Sequence, residues 1–91
     1  MTSNIDIEIG RRLRRRRIQL GLSQHDVATI VGVRFQQIQK YECGSNRIAA
    51  SRLWLMAQAL DAPVSMFFEG LPRLDFTASF ANGEEAAGQR V

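Results

Sequence analysis

Two short helical blocks separated by one glycine constrain the fold of this chain more than any other feature. Ser23, a residue type that favours the N-cap of a helix, opens a run of helix-compatible residues that ends at Gly32. A second run begins near Arg34 and stops at Gly44. The pattern therefore predicts two packed helices joined by a tight turn, over residues 23–42.

Apolar residues at helical spacing predict three more helices, which makes the expected class all-α with five helices. The first covers about residues 5–20, the fourth about 50–60, and a short fifth helix covers Met66–Phe68 behind a capping Ser65. The second helix of the chain, inside the first block, is placed at 24–31. The residues expected to face the core are Ile5, Ile9, Leu13 and Leu20, then Val27, Ala28, Ile30 and Val31, then Ile38 and Tyr41, and finally Leu53, Met56, Ala57 and Leu60.

The pattern changes after Pro72. Apolar residues then alternate with other residues over 73–80, at Leu74, Phe76, Ala78 and Phe80. Such alternation fits a strand that pairs with its copy in a dimer, or an extended arm. We therefore divide the chain into a helical domain, residues 1–70, and a tail, residues 71–91, that serves dimerisation or a protein partner. The polar end of the tail, 81–91, is expected to be disordered.

The single cysteine and the single histidine exclude several classes of function. Cys43 has no second cysteine with which to form a disulfide. With His25 it offers only two of the four ligands that a structural zinc site normally takes. The chain has no nucleophile–base pair and no glycine-rich phosphate loop, so we expect no enzymatic activity, no metal and no cofactor. Glu42, beside Cys43, is expected to raise the pKa of the thiol.

No secretory or membrane segment is evident. The basic run Arg11–Arg17 is followed by Ile18–Gly21 rather than by an apolar signal region. No apolar stretch approaches the ~18–20 residues that a membrane span needs. We therefore expect a soluble, cytoplasmic protein associated with the nucleoid.

Positive charge is concentrated in one part of the chain. Residues 11–52 carry ten Lys or Arg and two acids, a balance of +8, and the remainder carries two Arg and seven acids, a balance of −5, which together give the net +3. Eleven of the twelve basic residues are arginine, whose guanidinium suits bidentate phosphate contact. This asymmetry is typical of a surface that binds a polyanion, although a solvated basic helix gives the same run.

Several motifs in the basic region resemble one family of DNA-binding proteins. They are Arg17-Ile18-Gln19-Leu20-Gly21-Leu22-Ser23-Gln24, Ala28, Val31-Gly32-Val33, Ile38, Tyr41-Glu42-Cys43-Gly44, Leu60-Asp61-Ala62-Pro63-Val64-Ser65 and Phe67-Phe68. They resemble the phage repressor and Cro family, also called the XRE family, over about residues 9–69. The resemblance implies a lambda-repressor-like domain whose helix-turn-helix, residues 23–42, reads the major groove of double-stranded DNA. It also implies a transcriptional repressor that binds a pseudo-palindromic operator as a homodimer.

The resemblance assigns base-reading positions to the second helix of the motif, at Arg34, Phe35, Gln36 and Lys40. A Gln side chain can bond adenine, while Arg and Lys can bond guanine. Gln36 and Lys40 are four residues apart, so they share a face opposite Ile38. The angle of Phe35 on the helix suits either the core or contact with a thymine methyl group.

The resemblance also implies a set of phosphate contacts and one structural ion pair. The phosphate positions are Ser23, Gln24, Gln37, Gln39, Asn46 and Arg47. At Gln24 the physical chemistry agrees, because unpaired N–H groups at a helix N-terminus attract anions. The ion pair joins Arg17, at the end of the first helix, to Glu42, at the end of the third.

A second hypothesis keeps the same fold. The chain would be an antitoxin that autoregulates its operon and binds a toxin protein through residues 73–80. Co-purification of a second small protein, lost on truncation after Gly70, would favour this hypothesis over a stand-alone regulator.

Overall fold

The computed structural model describes residues 4–72, which form four α-helices followed by a short 3-10 helix. The elements are α1 (Asn4–Gln19), α2 (Gln24–Val31), α3 (Phe35–Glu42), α4 (Ala50–Ala59) and the 3-10 helix (Val64–Phe67). The all-α class and the places of the first four helices are confirmed. The strand-like segment 73–80 and the tail end 81–91 lie outside the described residues.

The fifth helix differs from the prediction in type and in position. It is a 3-10 helix that begins at Val64, and its N-cap is Pro63 rather than Ser65. Pro63 has the extended backbone typical of an N-cap, with φ −69° and ψ 149°, and its carbonyl oxygen accepts the first hydrogen bond from Met66 N–H at 3.0 Å. Four residues are too few for the i→i−4 bonding of a regular α-helix, and short 3-10 segments are common in such places.

Local sequence signals position α2. The Ser23 hydroxyl accepts a hydrogen bond from the Asp26 N–H at 2.9 Å, and the Asp26 carboxylate accepts one from the Ser23 N–H at 2.8 Å. These two bonds form a capping box, and they confirm Ser23 as the N-cap of α2. The bond from the Ser23 backbone lowers the pKa of Asp26, so the cap is complete at neutral pH and is lost as the pH falls through that lowered pKa. At the other end Gly32 adopts φ +87°, which a residue with a side chain rarely tolerates.

The core lies where α1, α2, α3, α4 and the 3-10 helix meet. Its fully buried large side chains are Leu13, Val27, Ile38, Met56, Leu60 and Phe67. The predicted inner stripe of α4 is confirmed in full. The stripes of α1 and α2 were partly wrong, because Ile5, Leu20 and Ile30 are exposed. Ile5 lies in the first turn of α1 and Leu20 lies beyond its end, where helical spacing alone does not decide burial.

A glycine allows α1 to pack directly on the end of α3. Gly10 is buried, and a Cβ atom added there would meet the carbonyl oxygens of Tyr41 and Glu42, the latter at 2.8 Å. Both atoms belong to the backbone and cannot swing aside. The absence of a side chain at Gly10 therefore sets the separation of α1 and α3.

Two arginines of α1 hold the carboxyl end of α4 and the 3-10 helix. The Arg16 guanidinium donates to the carbonyl oxygens of Leu60 at 2.9 Å and Asp61 at 3.0 Å, which are left without partners where α4 ends. Arg12 donates to Met66 O at 3.4 Å and pairs with Glu8 at 3.5 Å. The sequence alone indicated only that these arginines belong to a basic surface or to a solvated basic helix.

We expect Arg16→Ala to lower the free energy of unfolding by about 1–2 kcal/mol, since two charge-assisted hydrogen bonds to the end of α4 disappear. Arg15→Ala is the matched control, because Arg15 is exposed and makes no such bond among residues 4–72. Urea unfolding followed by circular dichroism measures both variants. Equal stability of the two variants would show that the Arg16 bonds contribute nothing measurable.

Within residues 4–72, no helix is both long enough and apolar enough to cross a membrane.

Candidate nucleic-acid interface

The turn between α2 and α3 aims α3 outward. The N–H groups of Gly32 and Val33 both donate to Ala28 O, at 2.8 and 3.0 Å, which closes the turn tightly. Val33, in the joint between the two helices, packs against the core. On α3, Ile38 and Tyr41 are buried and anchor the helix. The opposite side of α3 is therefore available to a partner.

The predicted base-reading positions of α3 lie on that outward side. Arg34, Gln36 and Lys40 are exposed. They line an open groove of about 690 Å³ together with Gln37 and Arg52. Among residues 4–72, no carboxylate lines this groove. Arg34 is the N-cap residue of α3 and makes no side-chain cap bond, so its guanidinium is not used in closing the helix. The groove presents three cations and two amide groups, which can donate hydrogen bonds to the acceptors on base edges in the major groove.

Phe35 belongs largely to the interior. It is half-buried and packs against the hydrophobic core. Its ring stacks on that of His25, with centroids 4.0 Å apart and an interplanar angle of 27°. Of the two interpretations left open for Phe35, this position favours the core. A thymine contact would have to use the exposed part of the ring, and it remains a prediction.

The predicted pair of Arg17 and Glu42 is the centre of a buried polar network. Arg17 makes a bidentate contact with the carboxylate at 2.5 and 3.0 Å and also donates to Leu22 O at 2.8 Å. The side chains are 11% and 4% exposed. The hydrogen bond to Glu42 raises the pKa of Arg17 above its usual value. The network ties the end of α3 to the end of α1 and to the turn before α2.

Gln24 belongs to this network as well, which its assignment as a phosphate contact did not anticipate. Its amide nitrogen donates to the Glu42 carboxylate at 3.0 Å. An amide NH₂ has two hydrogens, so one is left for an anion at the start of α2. Ser23, next to it, is exposed but already serves the capping box. Phosphate contacts at both positions remain predictions.

The loop after α3 places its polar residues at the surface. Asn46 is half-buried, and Arg47 is exposed and pairs with Asp6 at 3.2 Å. Three-quarters of the Arg47 side chain remains accessible. Arg47 can therefore reach a phosphate at the carboxyl end of α3. Gln39 is also exposed, one residue from Lys40.

The expectation for Cys43 was wrong. The pKa of its thiol is lowered, because it lies 3.3 Å from the Ser45 hydroxyl and forms a hydrogen bond with it. The neighbouring Glu42 carboxylate points inward, to Arg17 and Gln24, and so does not act on the thiol.

Sequence reasoning missed Arg52 as a member of the interface. It lies on α4 but lines the same groove as Arg34, Gln36 and Lys40. The sequence shows that Arg52 belongs to the basic region, residues 11–52. Its position was not foreseen, since the helical pattern of α4 does not say which flank of that helix faces α3.

Taken together, a capped α2, a tight turn and an outward α3 bearing cations and amides define a helix-turn-helix DNA-binding domain. The chain belongs to the HTH_3 helix-turn-helix family, whose model matches residues 13–67. This confirms the family that the sequence motifs predicted. HTH_3 proteins are DNA-binding regulators rather than a class of enzymes.

Curated relatives agree with the family assignment. An uncharacterised HTH-type transcriptional regulator of Rhizobium meliloti (strain 1021) is 54% identical over 68 residues, which cover 75% of this chain and 49% of that protein. An uncharacterised transcriptional regulator in the ATPase CF(0) region of Rhodospirillum rubrum is 51% identical over 72 residues, 79% of this chain and 67% of that protein. The chain thus spans about half the length of the first of these relatives.

Solved structures show the same fold. The restriction-modification controller protein C.AhdI from Aeromonas hydrophila matches with a TM-score of 0.66 and 29% identity, over 68% of this chain and 94% of that one. An HTH_3 family transcriptional regulator from Vibrio cholerae matches with a TM-score of 0.65 and 26% identity, over 90% of this chain and 39% of that one. The clp gene regulator ClgR from C. glutamicum, at 21% identity and a TM-score of 0.69, supports the fold alone.

Proposed function

We propose that this domain reads operator DNA for a transcriptional repressor that binds a pseudo-palindromic site as a homodimer. The observation that carries the proposal is the outward groove of α3, where Arg34, Gln36 and Lys40 are exposed and no carboxylate of the described residues lines the groove. Gln36 and Lys40 carry the base contacts, supported by Arg34 and by the exposed edge of Phe35. The phosphate contacts are assigned to Ser23, Gln24, Gln37, Gln39, Asn46 and Arg47.

Exposed apolar side chains support the homodimer. Trp54 is 58% exposed and Leu55 is 45% exposed on α4, and Phe68 follows the 3-10 helix with 44% exposed. A contiguous patch of such groups at a surface is typical of a protein contact site. Two copies of the domain would place their α3 helices in successive major grooves, about 34 Å apart. Selection of bound sequences from a random DNA pool would reveal this spacing, and half-sites without a fixed spacing would argue against the dimer.

Variants at Lys40 and Arg47 distinguish contacts with the bases from contacts with the DNA backbone. We expect Lys40→Ala to lose about 1–2 kcal/mol of discrimination at one base pair of the selected site, with little change on random DNA. Arg47→Ala should weaken binding to selected and random duplexes alike, because phosphate contacts carry no sequence information. Fluorescence anisotropy on single-base variants of the selected duplex measures both effects.

Arg15→Ala is the control for loss of a positive charge that does not line the groove of α3. It should leave base preference unchanged. If Lys40→Ala lowered affinity equally on every duplex, Lys40 would be a backbone contact and the assignment of the reading face would be wrong.

A further inference from the structure

We propose that Arg52 of α4 makes a further contact with the DNA backbone. Its guanidinium binds a phosphate on the wall of the major groove that α3 enters. The proposal rests on DNA binding by α3. It extends the interface from the helix-turn-helix and the loop after it to the neighbouring helix, and no sequence motif assigned this role.

The first support is the position of Arg52. Its side chain lines the same groove as Arg34 and Lys40, although it belongs to a different helix. Val33, Gln37 and Tyr41 complete that side of the groove. Three cations from α3, its N-cap and α4 therefore converge on one space.

The second support is the lack of any internal partner for this charge. Within residues 4–72 the carboxylates in ion pairs are taken by Arg11, Arg12, Arg17 and Arg47. Neither Arg34, Lys40 nor Arg52 forms an ion pair or a side-chain hydrogen bond in this part of the chain. Arginines with a structural role here, such as Arg16, bind backbone carbonyls, and Arg52 does not.

The third support is the depth at which Arg52 sits. Gln36 and Lys40 are exposed at the front of α3, whereas Arg52 is half-buried beside it. Base edges lie at the floor of the major groove, and phosphates line its walls. Arg52 lines the groove from α4 rather than from the reading helix, so in the proposed complex it faces the wall. Arg52 is half-buried as a whole residue, and a guanidinium binds phosphate through two parallel hydrogen bonds.

The test compares Arg52→Gln, which retains most of the stem, with Arg15→Gln, which removes an exposed charge on α1. Binding is measured at several salt concentrations on the duplex selected from the random pool and on a duplex of random sequence. We expect Arg52→Gln to weaken binding about tenfold on both duplexes and to reduce the slope of log affinity against log salt by about one. Arg15→Gln should change neither quantity appreciably, and Arg52→Lys should show a smaller loss than Arg52→Gln.

Two results would overturn the assignment. The first is that the wild-type chain binds DNA and Arg52→Gln has the same affinity and the same salt slope. Arg52 would then make no phosphate contact, and the role of α3 would be unaffected. A loss of preference at a single base pair would make Arg52 a base-reading residue instead. Failure of the wild-type chain to bind either duplex would refute DNA binding itself, and the Arg52 contact with it. Thermal unfolding of each variant identifies any loss that comes from misfolding.

Discussion

Glu42→Leu should destabilise the domain by about 3–5 kcal/mol, the loss expected when one partner of a buried ion pair is removed. The guanidinium of Arg17 would keep only its bond to Leu22 O, in a site where its side chain is 11% exposed. Gln24 would lose its acceptor at the same time. Since small domains are stable by about 5–15 kcal/mol, this single change should remove a large fraction of the total. Urea denaturation at neutral pH measures the loss.

A double variant distinguishes the unpaired charge from lost packing. Arg17→Met combined with Glu42→Leu removes both charges and keeps similar volume, so it should recover more than half of the stability lost in Glu42→Leu alone. The pair is buried, so moderate salt should change the result little. If the double variant were as unstable as the sum of the two single variants, the two side chains would not be coupled.

The network also explains why α3 can serve as a rigid reading helix. Its carboxyl end is held by Arg17 and Gln24 through Glu42, and its apolar side is held by Ile38 and Tyr41. A side chain that reads base edges must be positioned within a fraction of an ångström. The residues that hold α3 in place are therefore ones that touch no base in the proposed complex.

Sequence signals predicted the parts of the fold that depend on neighbouring residues. Ser23 and Asp26 cap α2 within three residues of each other, and Gly32 ends it through its own backbone angle. The inner stripe of α4 follows from helical spacing. The bounds of α2 matched, and the other three helices differed by about a residue at their ends.

Contacts between residues far apart in the chain could not be predicted in this way. Arg16 binds carbonyls 44 and 45 residues away, and Gln24 reaches Glu42 across 18 residues. Nothing in the run of arginines shows which of them turn inward. Ile30 matched a helical apolar stripe but is 59% exposed, because the core accepts only one side of α2. Arg52 was missed for the same reason, because the groove that it lines is formed together with residues of α3.

Gly10→Ala should destabilise the domain by about 2–3 kcal/mol, although alanine is the better helix former by about 1 kcal/mol. The new Cβ would meet the backbone oxygens of Tyr41 and Glu42, so α1 and α3 must separate and strain the Arg17–Glu42 contact. Gly10→Val should cost more, and the exposed neighbour Arg11→Ala should stay within about 0.5 kcal/mol of wild type. Thermal and urea unfolding decide the sign of the effect. A Gly10→Ala variant more stable than wild type would mean that helix propensity outweighs the close approach, and that α1 and α3 have room to move apart.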